Sequence, residues 1–96
     1  MKKKISILGS TGSIGKSSLQ ILNLNKKKFS ILLLSANSNY KEIIRQINLY
    51  RPLYFVVTDF FVYNKIKKNV TNKKTKILNK FNNVPTKLKF DITIAA

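Results

Sequence analysis

Three glycines recur at every third position directly after a short apolar run. Gly9, Gly12 and Gly15 follow the run Ile5–Leu8, and a segment with helical periodicity comes after them. The first glycine allows a sharp turn off a strand, the second lets the backbone approach a phosphate closely, and the third lets a helix pack tightly on the strand. The first N–H groups of such a helix lack intrahelical partners and favour an anion. The stretch therefore predicts a phosphate-binding turn.

The spacing of these glycines leaves three interpretations open. Dinucleotide-binding proteins carry G-x-G-x-x-G, which is present here in the looser form G-x-x-G-x-x-G, with Thr11 and Ser13 as added hydroxyl donors. ATPase phosphate loops carry G-x-x-x-x-G-K-[ST]; Gly15–Ser17 supplies the end of that motif, but its first glycine would fall on Ser10. A tight turn with a purely structural role is the third interpretation. The spacing favours a dinucleotide.

The loop after the second predicted strand bears on which dinucleotide would bind. In NAD-binding folds an acidic residue about 20 residues beyond the glycines holds the ribose 2′-hydroxyl. The corresponding loop here, Ser35–Asn39, contains no acid. A carboxylate there would repel a 2′-phosphate, whereas the side chains of Asn37, Ser38 and Asn39 can donate hydrogen bonds to one. The loop therefore favours NADPH over NADH, with an ordinary polar turn as the alternative.

Strand and helix patterns alternate along the chain. After the glycine turn, strands are predicted at Phe29–Ser35, Leu53–Val57, Thr75–Leu78 and Phe90–Ala96, and helices at Gly15–Leu24, Tyr40–Tyr50 and Phe60–Asn69. Helical spacing predicts three inward faces: Ile14, Ser18, Ile21 and Leu22; Ile43, Ile44 and Ile47; and Phe61, Val62 and Ile66. The alternation indicates right-handed βαβ units, and so an α/β fold with a mainly parallel sheet and flanking helices.

Acidic residues and metal ligands are scarce in this small single domain. The 96 residues include no cysteine and no histidine, and the three acids, Glu42, Asp59 and Asp91, are far apart in sequence. Disulfides and cysteine metal sites are therefore excluded, and paired carboxylates or catalytic triads have little support. Asp91 begins the last predicted strand whereas Asp59 follows the third, so we expect them at opposite edges of the sheet. We accordingly assign no catalytic residue and no metal ligand.

The net charge of +16 raises the question of nucleic acid. Nonspecific phosphate binding is expected of so basic a surface, and a noncatalytic basic protein that binds nucleic acid is one alternative. However, only two of the nineteen basic residues are arginines, Arg45 and Arg51, and the joint excess of lysine, asparagine and isoleucine is typical of an A+T-rich genome. We expect no specific binding of nucleic acid. No apolar stretch approaches the ~20 residues that span a membrane, so we expect a cytoplasmic protein.

Four segments together resemble a known family. They are LGSTGSIG at Leu8–Gly15, the loop Ala36–Asn39, the Tyr50–Pro52 turn before a strand, and the closing DITIAA at Asp91–Ala96. In order and spacing they are similar to the amino-terminal segment of the 1-deoxy-D-xylulose 5-phosphate reductoisomerase family. The resemblance covers essentially the whole chain and implies a Rossmann-like fold.

The resemblance also implies a cofactor, a set of contacts and a reaction. Thr11, Gly12, Ser13 and Ile14 would contact the pyrophosphate and adjoining ribose of NADPH, and Asn37, Ser38 and Asn39 would hold the adenosine ribose and its 2′-phosphate. Family members are homodimers that rearrange and reduce 1-deoxy-D-xylulose 5-phosphate to 2-C-methyl-D-erythritol 4-phosphate with NADPH and Mg²⁺ or Mn²⁺, in the methylerythritol phosphate route to isoprenoids.

Two positions and the length depart from the family pattern. Asn37 stands where the family often has glycine, a change that a left-handed turn tolerates, and Ser38 stands where the family often has a basic residue. The family's metal ligands, substrate-phosphate site and lid lie beyond its cofactor domain. Residues 1–96 are therefore interpreted as an incomplete NADPH-binding domain without the catalytic and C-terminal domains, inactive by itself. A small ATP-binding module, with Mg²⁺ held at Tyr54–Asp59, is the other alternative.

Overall fold

The computed structural model describes all 96 residues, in which five strands and three α-helices largely alternate. The strands are β1 (Lys3–Leu8), β2 (Phe29–Ala36), β3 (Tyr54–Val57), β4 (Lys76–Leu78) and β5 (Ile92–Ala95), and the helices are α1 (Ser13–Leu24), α2 (Tyr40–Tyr50) and α3 (Phe60–Asn69). The predicted bounds of α2 and α3 are confirmed, α1 begins two residues earlier than predicted, and the last three strands are shorter than predicted. A single 3₁₀ turn, Phe81–Asn83, lies between β4 and β5. None of the helices has the length and apolar character needed to cross a bilayer.

All strand pairings are parallel, and the strand order is β4-β3-β2-β1-β5. From β1 the chain moves outward through β2 and β3 to β4, and then returns to place β5 on the other side of β1. The strand order therefore reverses beside β1. In open parallel sheets, ligands bind in the crevice outside the carboxyl ends of the strands at such a point. The predicted α/β, Rossmann-like fold with a parallel sheet is confirmed.

One apolar cluster forms the core. Its buried members are Ile5, Ile7, Leu19, Leu22, Leu34, Ala36, Ile43, Ile47, Phe55, Val57 and Ile66. Its strand members are alternate residues (Ile5 and Ile7, Leu34 and Ala36, Phe55 and Val57), so they come from one face of the sheet. The predicted inward face of α2 is confirmed, since Ile43 and Ile47 are fully buried and Ile44 packs partly against the cluster.

The predicted inward face of α1 is wrong by one residue. Ile14 and Ile21 were expected to face inward, but they are 64% and 61% exposed. Leu19, which was not predicted, is fully buried, and Leu22 is buried as predicted. The predicted and observed faces share the helical period and differ in phase by one residue, a rotation of about 100°.

Gly15 determines the phase of α1. A Cβ atom at Gly15 would lie 2.6 Å from the carbonyl oxygen of Gly9, so only glycine allows the helix to approach the turn at this distance. The face that contains Gly15 continues to Leu19 and Leu22 at helical spacing. The close backbone contact therefore selects which leucines enter the core and leaves Ile14 at the surface.

The predicted burial of Phe61 in α3 is also wrong. Phe61 is 83% exposed, and its ring packs edge-on against the ring of Phe60 with centroids 6.2 Å apart. Ile66 is fully buried and Val62 partly so, as predicted. Because Val62 and Ile66 are four residues apart and share the inner face, the side chain of Phe61 is rotated about 100° away from it.

Candidate functional site

The turn between β1 and α1 lies at the carboxyl edge of the sheet and is bonded to the end of β2. Gly9 adopts a positive φ of 78°, which confirms the predicted sharp turn off the strand. Its N–H donates to the carbonyl oxygen of Ser35 at 3.0 Å and to the Ser35 hydroxyl at 3.3 Å. The N–H of Ser10 donates to the same carbonyl at 2.8 Å. These bonds fix the start of the turn against the neighbouring strand.

The two later glycines of the motif serve different requirements. Gly15 is needed by the chain itself, because a side chain there would overlap the backbone of Gly9 and Ser10. Gly12 is exposed, and a Cβ atom built on it would meet only the Gly9 carbonyl oxygen, at an ordinary 3.7 Å. The internal packing of the chain therefore does not require glycine at position 12.

The amino end of α1 differs from the amino ends of the other two α-helices. Asn39 caps α2 by accepting from the Glu42 N–H at 3.3 Å, and Asp59 caps α3 by accepting from the Val62 N–H at 3.0 Å. At α1 the cap residue is Gly12, which offers no side-chain acceptor, and the first turn contains no acid. The first N–H groups of α1 therefore remain available, at the positive end of the helix dipole, for an external anion.

A cavity of about 440 Å³ opens in front of these N–H groups. Its lining residues are Gly9, Thr11, Gly12, Ser13, Ile14, Ala36, Asn37 and Ala96. The structure thus brings together all four residues predicted from the glycine turn and Asn37 from the second loop. Ser38 and Asn39 are exposed and follow Asn37 in the same loop, but they do not line the cavity.

The asparagines of the second loop keep their amide N–H groups unpaired. The Oδ1 atom of Asn37 accepts from the Thr58 hydroxyl at 2.9 Å, and that of Asn39 accepts from the backbone of Glu42. Neither Nδ2 atom has an acceptor within the chain. The expectation of a left-handed turn at Asn37 is wrong, since Arg51 is the only residue other than glycine with positive φ. Asn37 is accommodated instead by its bonds to the segment after β3, which include its carbonyl oxygen accepting from the Asp59 N–H at 3.2 Å.

A buried polar pair that the sequence did not reveal joins the glycine turn to α2. Ser10 and Gln46 are both fully buried. The Ser10 hydroxyl donates to Oε1 of Gln46 at 2.7 Å, and Nε2 of Gln46 donates to the Ser10 carbonyl oxygen at 2.9 Å. The available signal was a polar residue within the inward stripe of α2, directly before Ile47 and three residues after Ile43, because such a residue needs a buried partner.

The carboxylate of Glu42 completes this network. It accepts from Nε2 of Gln46 at 2.9 Å and forms an ion pair with Arg45 at 2.8 Å. The hydrogen bond from Arg45 lowers the pKa of the Glu42 carboxyl below its usual value, against the opposing effect of burial, and the bond from Gln46 lowers the pKa further. The Glu42 carboxylate is therefore held ionised between Arg45 and Gln46 of the same helix.

The three carboxylates lie apart, as the predicted topology requires. Asp59 caps α3 at the carboxyl edge of the sheet. Asp91 accepts from the N–H of Lys4 at 2.7 Å, beside the start of β1, which confirms its predicted place at the opposite edge. No three acidic, histidine or cysteine side chains come together as ligands for a metal ion. The donor set of this chain therefore does not fit a Mg²⁺ site.

Comparisons with known proteins agree with this geometry. The family model of 1-deoxy-D-xylulose 5-phosphate reductoisomerase matches residues 5–96. The protein of that name from Pelagibacter ubique is 43% identical over 82 residues, which make up 85% of this chain and 21% of the relative. The structure of the reductoisomerase from Zymomonas mobilis in complex with NADPH matches 81% of this chain and 21% of its own, with a TM-score of 0.75 and 26% identity.

A second solved structure, of a reductoisomerase in complex with NADPH, fosmidomycin and magnesium, also has a TM-score of 0.75 and 26% identity, over 83% of this chain and 20% of its own. The chain spans about one fifth of the length of the relatives that it matches. The match of the family model nevertheless extends over nearly all of the residues described above. The chain therefore belongs to the 1-deoxy-D-xylulose 5-phosphate reductoisomerase family.

Proposed function

We propose that residues 1–96 form the NADPH-binding part of a 1-deoxy-D-xylulose 5-phosphate reductoisomerase. The observation that carries the proposal is the amino end of α1, which has no side-chain cap and opens onto a cavity beside the exposed Gly12. An anion with two phosphates suits this end, because backbone N–H groups and the helix dipole both favour negative charge there. The complexes of related enzymes with NADPH support the choice of dinucleotide.

The residues of the glycine turn have distinct roles in the proposed site. Gly12 leaves room for the pyrophosphate, and the N–H groups that follow it donate to the phosphate oxygens. The hydroxyls of Thr11 and Ser13 add donors at the same place. Ile14, which is exposed beside the cavity, offers an apolar contact to the adjoining ribose. These interactions hold the dinucleotide across the point where the strand order reverses.

The second loop is proposed to select the 2′-phosphate of NADPH. The unpaired amide N–H groups of Asn37 and Asn39 and the exposed hydroxyl of Ser38 can donate to it. Glu42 is the nearest acid along the chain, and its carboxylate is engaged by Arg45 and Gln46. Asp59, whose N–H donates to the Asn37 carbonyl oxygen, likewise uses its carboxylate to accept from the Val62 N–H. Both acids near this loop are therefore engaged within the chain.

Bound NADPH would supply the hydride that reduces the rearranged substrate in this reaction. The part described here binds and orients the cofactor, and we propose that the Mg²⁺ or Mn²⁺ ion and the sugar phosphate are held by residues other than 1–96. Catalysis by these residues alone is not expected, because their carboxylates do not converge. We further propose a homodimeric, cytoplasmic enzyme without specific binding of nucleic acid.

An ATP-binding module is the weaker candidate. It would need an aspartate free to hold Mg²⁺, but the Asp59 carboxylate caps α3 through the Val62 N–H. It would also need a glycine at the position of Ser10, whose side chain is buried against Gln46. Both Asp59 and Ser10 thus already make hydrogen bonds within the folded chain.

Titration calorimetry with NADPH, NADH and ATP tests the proposal. We expect the chain to bind NADPH more tightly than either competitor, because the glycine turn accepts the pyrophosphate and the second loop accepts the 2′-phosphate. Tighter binding of ATP would overturn the assignment. In a parallel assay of NADPH oxidation with substrate and Mn²⁺, we expect no turnover above background, and turnover would show that residues 1–96 contain more of the catalytic site than proposed.

A further inference from the structure

A buried glutamine on α2 holds the peptide group at the centre of the glycine turn. Gln46 has no exposed surface, and its amide makes two hydrogen bonds to the same residue, Ser10. Its Oε1 atom accepts from the Ser10 hydroxyl at 2.7 Å, while its Nε2 atom donates to the Ser10 carbonyl oxygen at 2.9 Å. The two residues are 36 positions apart, so this contact exists only in the folded chain.

The orientation of the Gln46 amide is fixed by its remaining bond. Nε2 also donates to the Glu42 carboxylate at 2.9 Å, and an ionised carboxylate can only accept. The amide oxygen must therefore face the Ser10 hydroxyl, and the amide nitrogen must face both Glu42 and the Ser10 carbonyl. Arg45 in turn fixes Glu42 through an ion pair.

The bond to the Ser10 carbonyl determines where the next N–H points. A trans peptide is planar, and its C=O and N–H point in opposite directions. Since the C=O of Ser10 is directed at Gln46, the N–H of Thr11 is directed away from α2. Thr11 lines the cavity in front of α1, and its N–H has no acceptor within the chain.

We infer that Gln46 is a positioning residue of the proposed NADPH site, which orients the Thr11 N–H toward the cofactor's pyrophosphate by holding the Ser10 carbonyl. The inference rests on the proposed function. An aliphatic residue would fill this core-facing position on α2, as Ile43 and Ile47 fill theirs. The polar side chain is explained by its partner, since Ser10 has its N–H, hydroxyl and carbonyl all bonded and is held as a rigid unit.

Amide spectra of the ¹⁵N-labelled chain, titrated with NADPH and with adenosine 2′-monophosphate, test the inference. The second ligand carries the 2′-phosphate but no pyrophosphate. Gln46→Met keeps the length of the side chain and removes its hydrogen bonds. Gln46→Asn withdraws the amide from Ser10 without placing an apolar group there. Gln20→Met makes the same change at an exposed position of α1 and is the matched control.

We expect both Gln46 variants to bind NADPH about tenfold or more weakly, the effect of losing one charge-assisted hydrogen bond. The Thr11 amide signal should no longer respond to NADPH as it does in the unsubstituted chain. The affinity for adenosine 2′-monophosphate should be unchanged, and Gln20→Met should behave as the unsubstituted chain does.

The possible failures are distinguishable. If the unsubstituted chain does not respond to NADPH, the proposed function falls, and this inference falls with it. If the unsubstituted chain binds and both Gln46 variants bind equally well, the inference alone is overturned. Parallel loss of both ligands, or loss of the folded spectrum in both variants, would show that Gln46 only supports the structure and would also overturn the inference.

Discussion

The β1–α1 and β2–α2 turns lie side by side at one edge of the sheet, yet the helices that follow them begin in different ways. The first turn is built on Gly9 and Gly12 and leaves the N–H groups of α1 without a side-chain cap and without an acid in the first helical turn. In the second turn, the Asn39 side chain caps α2, and Glu42 lies in the first turn of that helix. The first turn therefore offers backbone donors, and the second adds the side-chain donors of Asn37, Ser38 and Asn39.

This difference indicates which part of a dinucleotide each turn would recognise. Backbone donors at a helix end favour negative charge of any origin and bind phosphates without regard to the attached base. Side-chain donors can be replaced individually, so they suit the choice between related cofactors. The bonds of Gly9 to Ser35 and of Ser10 to Gln46 fix the two turns relative to each other.

Replacing Gly15 should have the largest effect on the first turn. In Gly15→Ala the new Cβ atom would lie 2.6 Å from the Gly9 carbonyl oxygen and 2.7 Å from the Ser10 backbone, so α1 must move. We expect a loss of about 3 kcal/mol in the free energy of unfolding, at the upper end for overpacking. Urea unfolding followed by circular dichroism measures it, with Ser17→Ala at an exposed position of the same helix as the control. Equal stability of Gly15→Ala and the native chain would refute the packing role of this glycine.

Replacing Gly12 should separate binding from folding. Its φ of −75° and ψ of 171° are accessible to any residue, and a Cβ atom there meets nothing closer than 3.7 Å. We expect Gly12→Val to keep the helical spectrum and to lose measurable NADPH binding, because the side chain would occupy the pyrophosphate position. Calorimetry with NADPH decides this. Binding by Gly12→Val at native strength would mean that the phosphates lie elsewhere.

The glycine turn and the order of strands and helices could be predicted from the sequence, because glycine spacing and strand–helix alternation are local signals. The phase of α1 was missed since Ile14, Ser18 and Ile21 have the same period as Gly15, Leu19 and Leu22. The steric demand of Gly15 would have selected the correct face. The contact between Ser10 and Gln46 could not be predicted, because it joins residues 36 positions apart and depends on how α2 packs against the turn.

In the second turn, Asn39→Asp should change the choice of cofactor without changing stability. Aspartate caps a helix about as well as asparagine and interacts favourably with the dipole. It lacks the N–H donors of Asn39, however, and its charge would repel a 2′-phosphate. We expect the preference for NADPH over NADH to fall by about tenfold, a difference of 1.4 kcal/mol in binding free energy.

Asn39→Ala is the matched control for this change. It removes the bond to the Glu42 N–H and should lower the free energy of unfolding by about 1 kcal/mol. Competition titrations with the two cofactors and urea unfolding of both variants give the required values. An unchanged cofactor preference in Asn39→Asp would place the 2′-phosphate away from this residue.

The smallest effect is expected from Glu42, and pH isolates it. Because hydrogen bonds from Arg45 and Gln46 lower the pKa of Glu42 in the folded chain, its ionised form stabilises the fold above the unfolded-state pKa of about 4.3. This contribution is lost as the pH falls through the lower pKa of the folded state. Since the Arg45 side chain is 48% exposed and its ion pair is screened by solvent, Glu42→Gln should cost only about 0.5 kcal/mol at pH 7.

Urea unfolding of the native and Glu42→Gln chains should show this difference at pH 7 and little difference once Glu42 is protonated in the native chain. A difference that stayed constant across this pH range would show that packing of the side chain, rather than its charge, stabilises the second turn.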